Sequence, residues 1–212
     1  MKFLASLLFM SAAGLMAQDN GRLTDSERAF LVEQLEQSKK GVLASIAGLT
    51  PAQWTFKAGP DRWSVQQCAE HIVLAEGYIF DGSQKVLATP AVPRPAASNS
   101  EMDHKLVAGV TDRSHKATAP EPLVPSGKFA TPEEAAKAFI EARDKSIAYA
   151  KTTDADLRVH VGPGPVGPID AYQILLLMAS HSARHTLQIR EVEADPNYPK
   201  ASAALRAVRQ KG

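Results

Sequence analysis

The chain has 212 residues, of which 44% are hydrophobic and 22% are charged, a balance typical of one globular domain with a substantial core. Its formal net charge of +1 lacks the excess of basic residues that nucleic-acid or anionic-membrane partners require, so we expect neither. The single cysteine, Cys68, excludes an internal disulfide, and we expect it to be buried as a small hydrophobic side chain.

The N-terminal segment, residues 1–17, is typical of a secretory signal peptide. Lys2 precedes an apolar run, and the small residue Ala17 stands at a plausible cleavage point. The run is shorter than the roughly 20 residues that span a bilayer, although an uncleaved anchor is the alternative. We therefore predict an exported protein, periplasmic or secreted, whose single domain covers residues 18–212 and keeps no stable membrane anchor after cleavage.

Two capping boxes predict where the first two helices begin. Each box pairs a serine or threonine with a glutamate or glutamine three residues later: Thr24 with Glu27, and Ser64 with Gln67. Apolar residues recur at steps of three or four after each box, which is the spacing of one helix face. We predict a first helix over 25–48 and a second helix over 65–87.

Two further helices are predicted in the second half of the chain. Thr131 is a potential N-cap before Pro132, and the following segment predicts a third helix over 132–151. The fourth helix is expected to begin near Pro168 and to end before Pro196, with His181 and His185 inside its apolar stripe.

A proline-rich segment over 89–130 separates the second and third helices, and its apolar residues do not recur at the spacing of a helix or a strand. A connection of this length is functional, lies along the surface, or contains a short helix near Ser100–Val107. Parallel neighbouring helices need such a crossover, whereas antiparallel neighbours do not. The sequence therefore predicts an all-α protein, a four-helix bundle with a long crossover between helices two and three.

Three histidines are candidate metal ligands. His181 and His185 lie four residues apart and therefore on one helix face, and His71 lies beside the apolar stripe of the second helix. Buried imidazoles need partners, either a metal ion or hydrogen bonds to carbonyl or carboxylate groups. Three imidazoles suit zinc, nickel, copper or iron and leave a coordination position open. The pair is not an H-E-x-x-H motif, so it lacks the glutamate base of zinc proteases.

Two motifs carry a family resemblance. WSVQQCAEHI at 63–72 and HSARHTLQI at 181–189 resemble the DinB/YfiT-like superfamily, and the resemblance extends through 119–160 and 167–200. It implies a four-helix bundle in up-up-down-down order. It also implies a divalent transition metal bound by the histidines of the two motifs: His71, His181 and His185.

The resemblance also implies classes of activity. Members of the superfamily include thiol-dependent S-transferases and a thiol-dependent isomerase, in which the metal activates a low-molecular-weight thiol. The expected function is that of a metal-dependent enzyme acting on a small molecule, a thiol S-transferase or, since an exported chain would not meet cytosolic thiols, a hydrolase. A non-catalytic, stress-associated module with a structural metal is the alternative. Zinc and nickel are the favoured metals and iron is an alternative; a homodimer is left open.

Other polar residues are weaker candidates for a functional role. Arg184 is a candidate for binding an anionic substrate, although an ion pair with Glu191 or Asp170 is the alternative. Gln188 is predicted either to orient a ligand or to fill a helix contact. Glu70 is expected to face solvent, because adjacent helix positions point about 100 degrees apart. The remaining histidines are expected in loops, outside the metal set: His104, His115 and His160.

Overall fold

A computed structural model describes residues 21–165 and 167–200. The predicted signal peptide over 1–17 lies outside the described residues and stays a prediction. Within the described ranges, none of the helices combines the length and the apolar character needed to cross a membrane.

Four long helices form the body of the molecule, and their bounds follow the capping signals in the sequence. They are α1 (Asp25–Ile46), α3 (Val65–Leu87), α5 (Pro132–Thr152) and α6 (Ala171–Glu193). The two predicted capping boxes are present, and Asp170 with Gln173 forms another at the start of α6. The fourth helix therefore begins three residues after Pro168, because the residues before it form a strand.

Shorter elements connect the long helices. They are α2 (Pro51–Thr55), α4 (Ser100–Thr111), a 3-10 turn (Glu121–Leu123), β1 (Val161–Gly164) and β2 (Gly167–Asp170). The short helix expected in the crossover is confirmed as α4 and extends beyond Val107. The antiparallel hairpin of β1 and β2 was not predicted, because its glycines and prolines do not give the apolar alternation of a strand.

Contacts along the helices fix their directions. Where two helices run parallel, the residue numbers of the paired positions rise together. In α1 and α6, Glu27 bonds Tyr172 and Gly41 lies near Thr186. In α3 and α5, Glu76 bonds Arg143 and Phe80 packs on Tyr149. Neighbours that run antiparallel do the opposite: Arg28 contacts Ala150 and Leu35 contacts Arg143, for α1 and α5.

The four-helix bundle and its long crossover between the second and third bundle helices are confirmed, but the predicted direction order needs correction. The helices α1, α3, α5 and α6 run up, down, down and up, not up-up-down-down. The crossover joins the parallel pair α3 and α5, as its length indicated. The shorter connection over 47–64 reverses the chain, a difference that the resemblance alone did not reveal.

Two apolar clusters fill the core. One surrounds the first half of α6, and the other lies between the end of α1, the start of α3 and the end of α6. Trp54 of α2 is 1% exposed within the second cluster, which explains why this short helix closes that end of the bundle. Cys68 belongs to the same cluster and is buried, as expected, and burial raises the pKa of its thiol to about 12.

A buried ion pair crosses the middle of the bundle. Arg143 of α5 donates its Nε to Glu76 of α3 over 2.8 Å, and both side chains are at most 1% exposed. The same guanidinium donates to the Leu35 carbonyl and the Ser38 hydroxyl of α1 and to the Ser182 hydroxyl of α6. One side chain therefore links all four long helices through hydrogen bonds.

Candidate metal centre

Three histidines from two antiparallel helices meet near one end of the bundle. His71 lies in the second turn of α3, and His181 and His185 lie on one face of α6. The ring centroids are 4.4 Å apart for His71 and His185, 4.4 Å for His181 and His185, and 4.9 Å for His71 and His181. One ring nitrogen from each lies within 4.8 Å of the others. The structure thus brings together all three predicted ligands.

Hydrogen bonds fix the tautomers of two of these rings. His71 Nδ1 lies 2.7 Å from the Leu123 carbonyl oxygen, which can only accept, so Nδ1 carries the proton and Nε2 keeps its lone pair. His185 Nδ1 lies 2.7 Å from Gln188 Oε1. Arg113 also donates to that oxygen, over 3.4 Å, so it is an acceptor and His185 Nδ1 is the donor. In both rings the lone pair is therefore on Nε2, the atom that could bind a metal.

The third ring is linked to the first through a shared proton. His71 Nε2 and His181 Nε2 are 3.1 Å apart. Since His71 Nε2 bears a lone pair, His181 must donate a proton from Nε2 when no cation lies between them. The lone pair of His181 Nδ1 is then buried with no hydrogen-bond partner among the described residues. A divalent ion bound to the Nε2 atoms would replace the shared proton, and His181 would then carry its hydrogen on Nδ1, which likewise has no partner among the described residues.

The protonation state of the cluster also suits a metal. Burial lowers the pKa of His181 to about 3 and that of His185 to about 2, and each ring is further disfavoured as a cation by the neighbouring histidine. Burial likewise lowers the pKa of His71, against the opposing effect of its bond to the Leu123 carbonyl. All three imidazoles are therefore neutral at pH 7, which is the form that ligates metals.

An aromatic side chain borders the cluster. The Trp63 ring, just before α3, lies 4.8 Å from the His71 ring and 6.1 Å from the His185 ring, nearly parallel to the latter at 28°. The indole is partly buried and shields two of the imidazoles from water on that side. A low local dielectric strengthens charge interactions inside such a site.

Gln188 joins His185 to a neighbouring charged pair, and whether it orients a ligand or fills a helix contact, the two alternatives given by the sequence, stays a prediction. Its oxygen holds His185 Nδ1 and contacts Arg113, which is itself bound to Glu191 through two hydrogen bonds of 2.9 and 2.8 Å. Arg62 lies 3.7 Å from the same glutamate. Arg113 comes from the residues after α4, whose proximity to α6 could not be predicted from the sequence because the crossover has no period.

The ion pair predicted as one alternative for Arg184 is absent from its described contacts, while its predicted role in binding an anionic substrate stays a prediction. Its guanidinium donates to backbone carbonyls after and at the end of α4, those of Val110, Asp112 and His115. It is bound neither to Glu191 nor to Asp170, which pair with Arg113 and Arg158 respectively. Arg184 therefore holds the crossover against α6, and none of its described contacts leads into the histidine cluster.

The prediction that Glu70 faces solvent is wrong. The residue is 1% exposed, and its carboxylate accepts hydrogen bonds from the backbone of Ser126, Gly127 and Lys128. The helical spacing does turn Glu70 away from the histidines, but the crossover covers that face of α3. These hydrogen bonds lower the pKa of the carboxyl despite the opposing effect of burial.

The other histidines lie outside the cluster, as expected. His104 differs from its predicted loop setting, since it belongs to α4 and packs against Phe30 with ring centroids 4.5 Å apart. His160 Nδ1 lies 2.8 Å from the Thr89 carbonyl oxygen, and His115 is exposed in the loop after α4. Among the described residues, the three clustered histidines form the one group placed to hold a metal ion.

Comparison with known proteins gives a family match and a structural match. Residues 34–189 match the family model of the DinB superfamily. The chain also resembles a solved structure of YfiT from Bacillus subtilis, described as "a probable metal-dependent hydrolase with an unusual four-helix bundle topology". The identity is 15%, the TM-score is 0.56, and the alignment covers 84% of this chain and 91% of that one, a likeness that shows the fold. A search of curated proteins found no significant match.

Proposed function

The chain belongs to the DinB superfamily, and from this premise we propose that it binds one divalent transition metal through the Nε2 atoms of His71, His181 and His185. The observation that carries the proposal is the convergence of three neutral imidazoles, two of which already donate their Nδ1 hydrogens to carbonyl oxygens. Metal-binding histidines in proteins are oriented in the same way by a second hydrogen bond. Zinc and nickel suit this ligand set best, and iron is an alternative.

We further propose that the site is catalytic, as a thiol S-transferase or a hydrolase acting on a small molecule. Three protein ligands are typical of catalytic sites, since structural zinc sites use four. Bound there, the metal would supply Lewis acidity to a thiol or to water. The protein's own part is to keep the imidazoles neutral, to hold their tautomers through Leu123 and Gln188, and to shield one side with Trp63. The likeness to YfiT favours the hydrolase.

Activity assays of the metal-loaded protein test the catalytic proposal. The chain is assayed with ester and amide substrates and, separately, with low-molecular-weight thiols and electrophiles. We expect turnover that His185→Ala removes and that His104→Ala, a histidine outside the cluster, retains. Metal-loaded protein that turns over no substrate of either class contradicts the catalytic proposal.

A structural metal is the second candidate function. It is favoured by the positions of the ligands on two different helices, since an ion there would join α3 to α6. In that case chelation lowers the melting temperature strongly, and the bound metal has no exchangeable water. Water exchange measured by relaxation of the solvent protons on a paramagnetic-metal derivative separates the two candidates.

We also propose that the protein is exported, on the evidence of the signal-like segment over 1–17. Expression in a bacterial host with separate analysis of cytoplasm and periplasm tests this. The expected product outside the cytoplasm begins at Gln18 by mass spectrometry, and an intact chain confined to the cytoplasm contradicts the proposal.

A further inference from the structure

We infer that Glu70 is a positioning residue for the histidine cluster: it holds the crossover in the place where the Leu123 carbonyl fixes the tautomer and direction of His71. This inference deepens the proposed metal-binding function and rests on it for its effect on metal affinity. Its structural part concerns His71 alone and can be tested on the metal-free protein.

The first observation is that both carboxylate oxygens of Glu70 accept two hydrogen bonds each from the crossover. Oε1 accepts from the Ser126 amide over 2.8 Å and from the Ser126 hydroxyl over 2.9 Å. Oε2 accepts from the amides of Gly127 over 2.7 Å and Lys128 over 3.0 Å. Both carboxylate oxygens of this residue, which is 1% exposed, thus bind one short stretch of backbone. An ionised acceptor makes stronger hydrogen bonds of this kind than a neutral one.

The second observation is the shape of the bound backbone. Gly127 has a φ of +88°, a conformation that residues with a side chain rarely adopt, and it lets successive amides point to one carboxylate. Only Val124 and Pro125 separate this turn from Leu123, whose side chain is 6% exposed. The place of the Leu123 carbonyl therefore depends on where residues 126–128 are held.

The third observation is the adjacency of Glu70 and His71. Neighbouring residues of a helix point about 100 degrees apart, so the pair contacts the crossover at two separate points. Glu70 holds residues 126–128, and His71 Nδ1 donates to the Leu123 carbonyl over 2.7 Å. If the carbonyl moved, His71 would be free to carry its proton on Nε2, where it would block metal binding. Glu70 thus acts on the cluster through Leu123 and touches none of the three rings in the described contacts.

The test uses the Glu70→Gln variant. The glutamine amide group presents donors where the backbone amides also donate, so at least part of the contact to residues 126–128 is lost. The control is Glu134→Gln, because Glu134 accepts one backbone hydrogen bond from the same crossover, at Ala130 just after the residues that Glu70 holds. Ser126→Ala, which removes only the hydroxyl contact to Oε1, serves as a milder second variant.

The first measurement is the tautomer of His71 in metal-free protein, from ¹⁵N correlations of the imidazole ring. We expect the Nδ1–H form in the parent and in Glu134→Gln, a mixture with the Nε2–H form in Glu70→Gln, and a smaller change in Ser126→Ala. A folded Glu70→Gln variant with the parent tautomer overturns the inference. If that variant does not fold, Ser126→Ala decides: a shift toward Nε2–H supports the inference, and an unchanged tautomer overturns it.

The second measurement is the zinc dissociation constant of the same proteins. We expect it to rise about 10- to 100-fold in Glu70→Gln, as for other residues that orient metal ligands, and to stay unchanged in Glu134→Gln. A parent that binds no zinc, nickel or iron would refute the proposed function, while the tautomer measurement would still support or overturn the role of Glu70. A general loss of stability would lower the melting temperature without changing the His71 tautomer.

Discussion

The three clustered histidines are kept neutral by burial, and this has a consequence for stability. The pKa values of His181 and His185 lie near 3 and 2, below the ordinary value of 6.5 that applies in the unfolded chain. Between these values the unfolded state binds more protons than the folded state, so the free energy of unfolding falls as the pH falls. Above about pH 6.5 both states hold neutral imidazoles and the full stability is present.

We therefore predict that the metal-free protein loses stability as the pH falls from about 6.5 toward 3. The free energy of unfolding should fall by up to about 1.4 kcal/mol per pH unit for each histidine that gains a proton only when the chain unfolds. Denaturant unfolding at a series of pH values measures this. His185→Gln should reduce the slope, since it removes one of the groups. A parent whose stability is unchanged over this range would contradict the placement of the histidines.

Gln188 provides a second prediction at the scale of one residue. Gln188→Ala removes the acceptor that holds His185 Nδ1, so the ring can turn or change tautomer. We expect the metal dissociation constant to rise about 10-fold or more, measured by competition with a chelator. Gln37→Ala, an exposed glutamine of α1 bonded to Glu33, is the matched control and should not change it. An unchanged affinity in Gln188→Ala would show that His185 needs no orienting partner.

At the scale of the elements, the sequence predicted where the long helices lie along the chain. It did not predict which helix faces the crossover buries. The capping boxes at Thr24 and Ser64 locate the starts of α1 and α3 because the side chain and backbone pair locally. The burial of Glu70 depends on the crossover, which is distant in sequence and has no regular spacing of apolar residues. The sequence likewise predicted the cluster of His71, His181 and His185, but neither the Leu123 carbonyl nor Arg113 beside it, because both belong to the crossover.

The attachment of the crossover to α6 yields a prediction for Arg184. Arg184→Ala removes the donor to three carbonyls around the end of α4. It removes none of the described hydrogen bonds of the histidine cluster. We expect faster amide hydrogen exchange over residues 108–116 and a melting temperature lower by about 2–4 °C, corresponding to roughly 1 kcal/mol. Metal stoichiometry should stay as in the parent. Loss of metal in this variant would instead assign Arg184 to the site.

At the scale of the whole molecule, Arg143 holds the bundle together at its centre. Arg143→Leu would leave the Glu76 carboxylate buried without its cation, and we expect this to cost about 3–5 kcal/mol. The double variant with Glu76→Leu should recover much of that loss, because two apolar side chains replace the pair. Denaturant unfolding of the parent and of the single and double variants measures both effects. An Arg143→Leu variant as stable as the parent would contradict this role.

The helix directions show the limit of prediction for the whole molecule. The length of the crossover indicated that α3 and α5 are parallel, and the structure agrees. Whether the connection over 47–64 reverses the chain depends on where Trp54 is buried, and its position in the core is a tertiary contact that no local pattern encodes. The reversal brings the start of α3 beside the second half of α6, and so places His71 beside His181 and His185.

The measurement that tests the central claim most directly is elemental analysis of the purified chain after exposure to zinc, nickel and iron together. The parent should hold one equivalent of a single metal, and so should His104→Ala. His181→Ala and His185→Ala should each lose it. A parent that holds no metal, or variants of the clustered histidines that retain it, would contradict the assignment of His71, His181 and His185 as a metal centre.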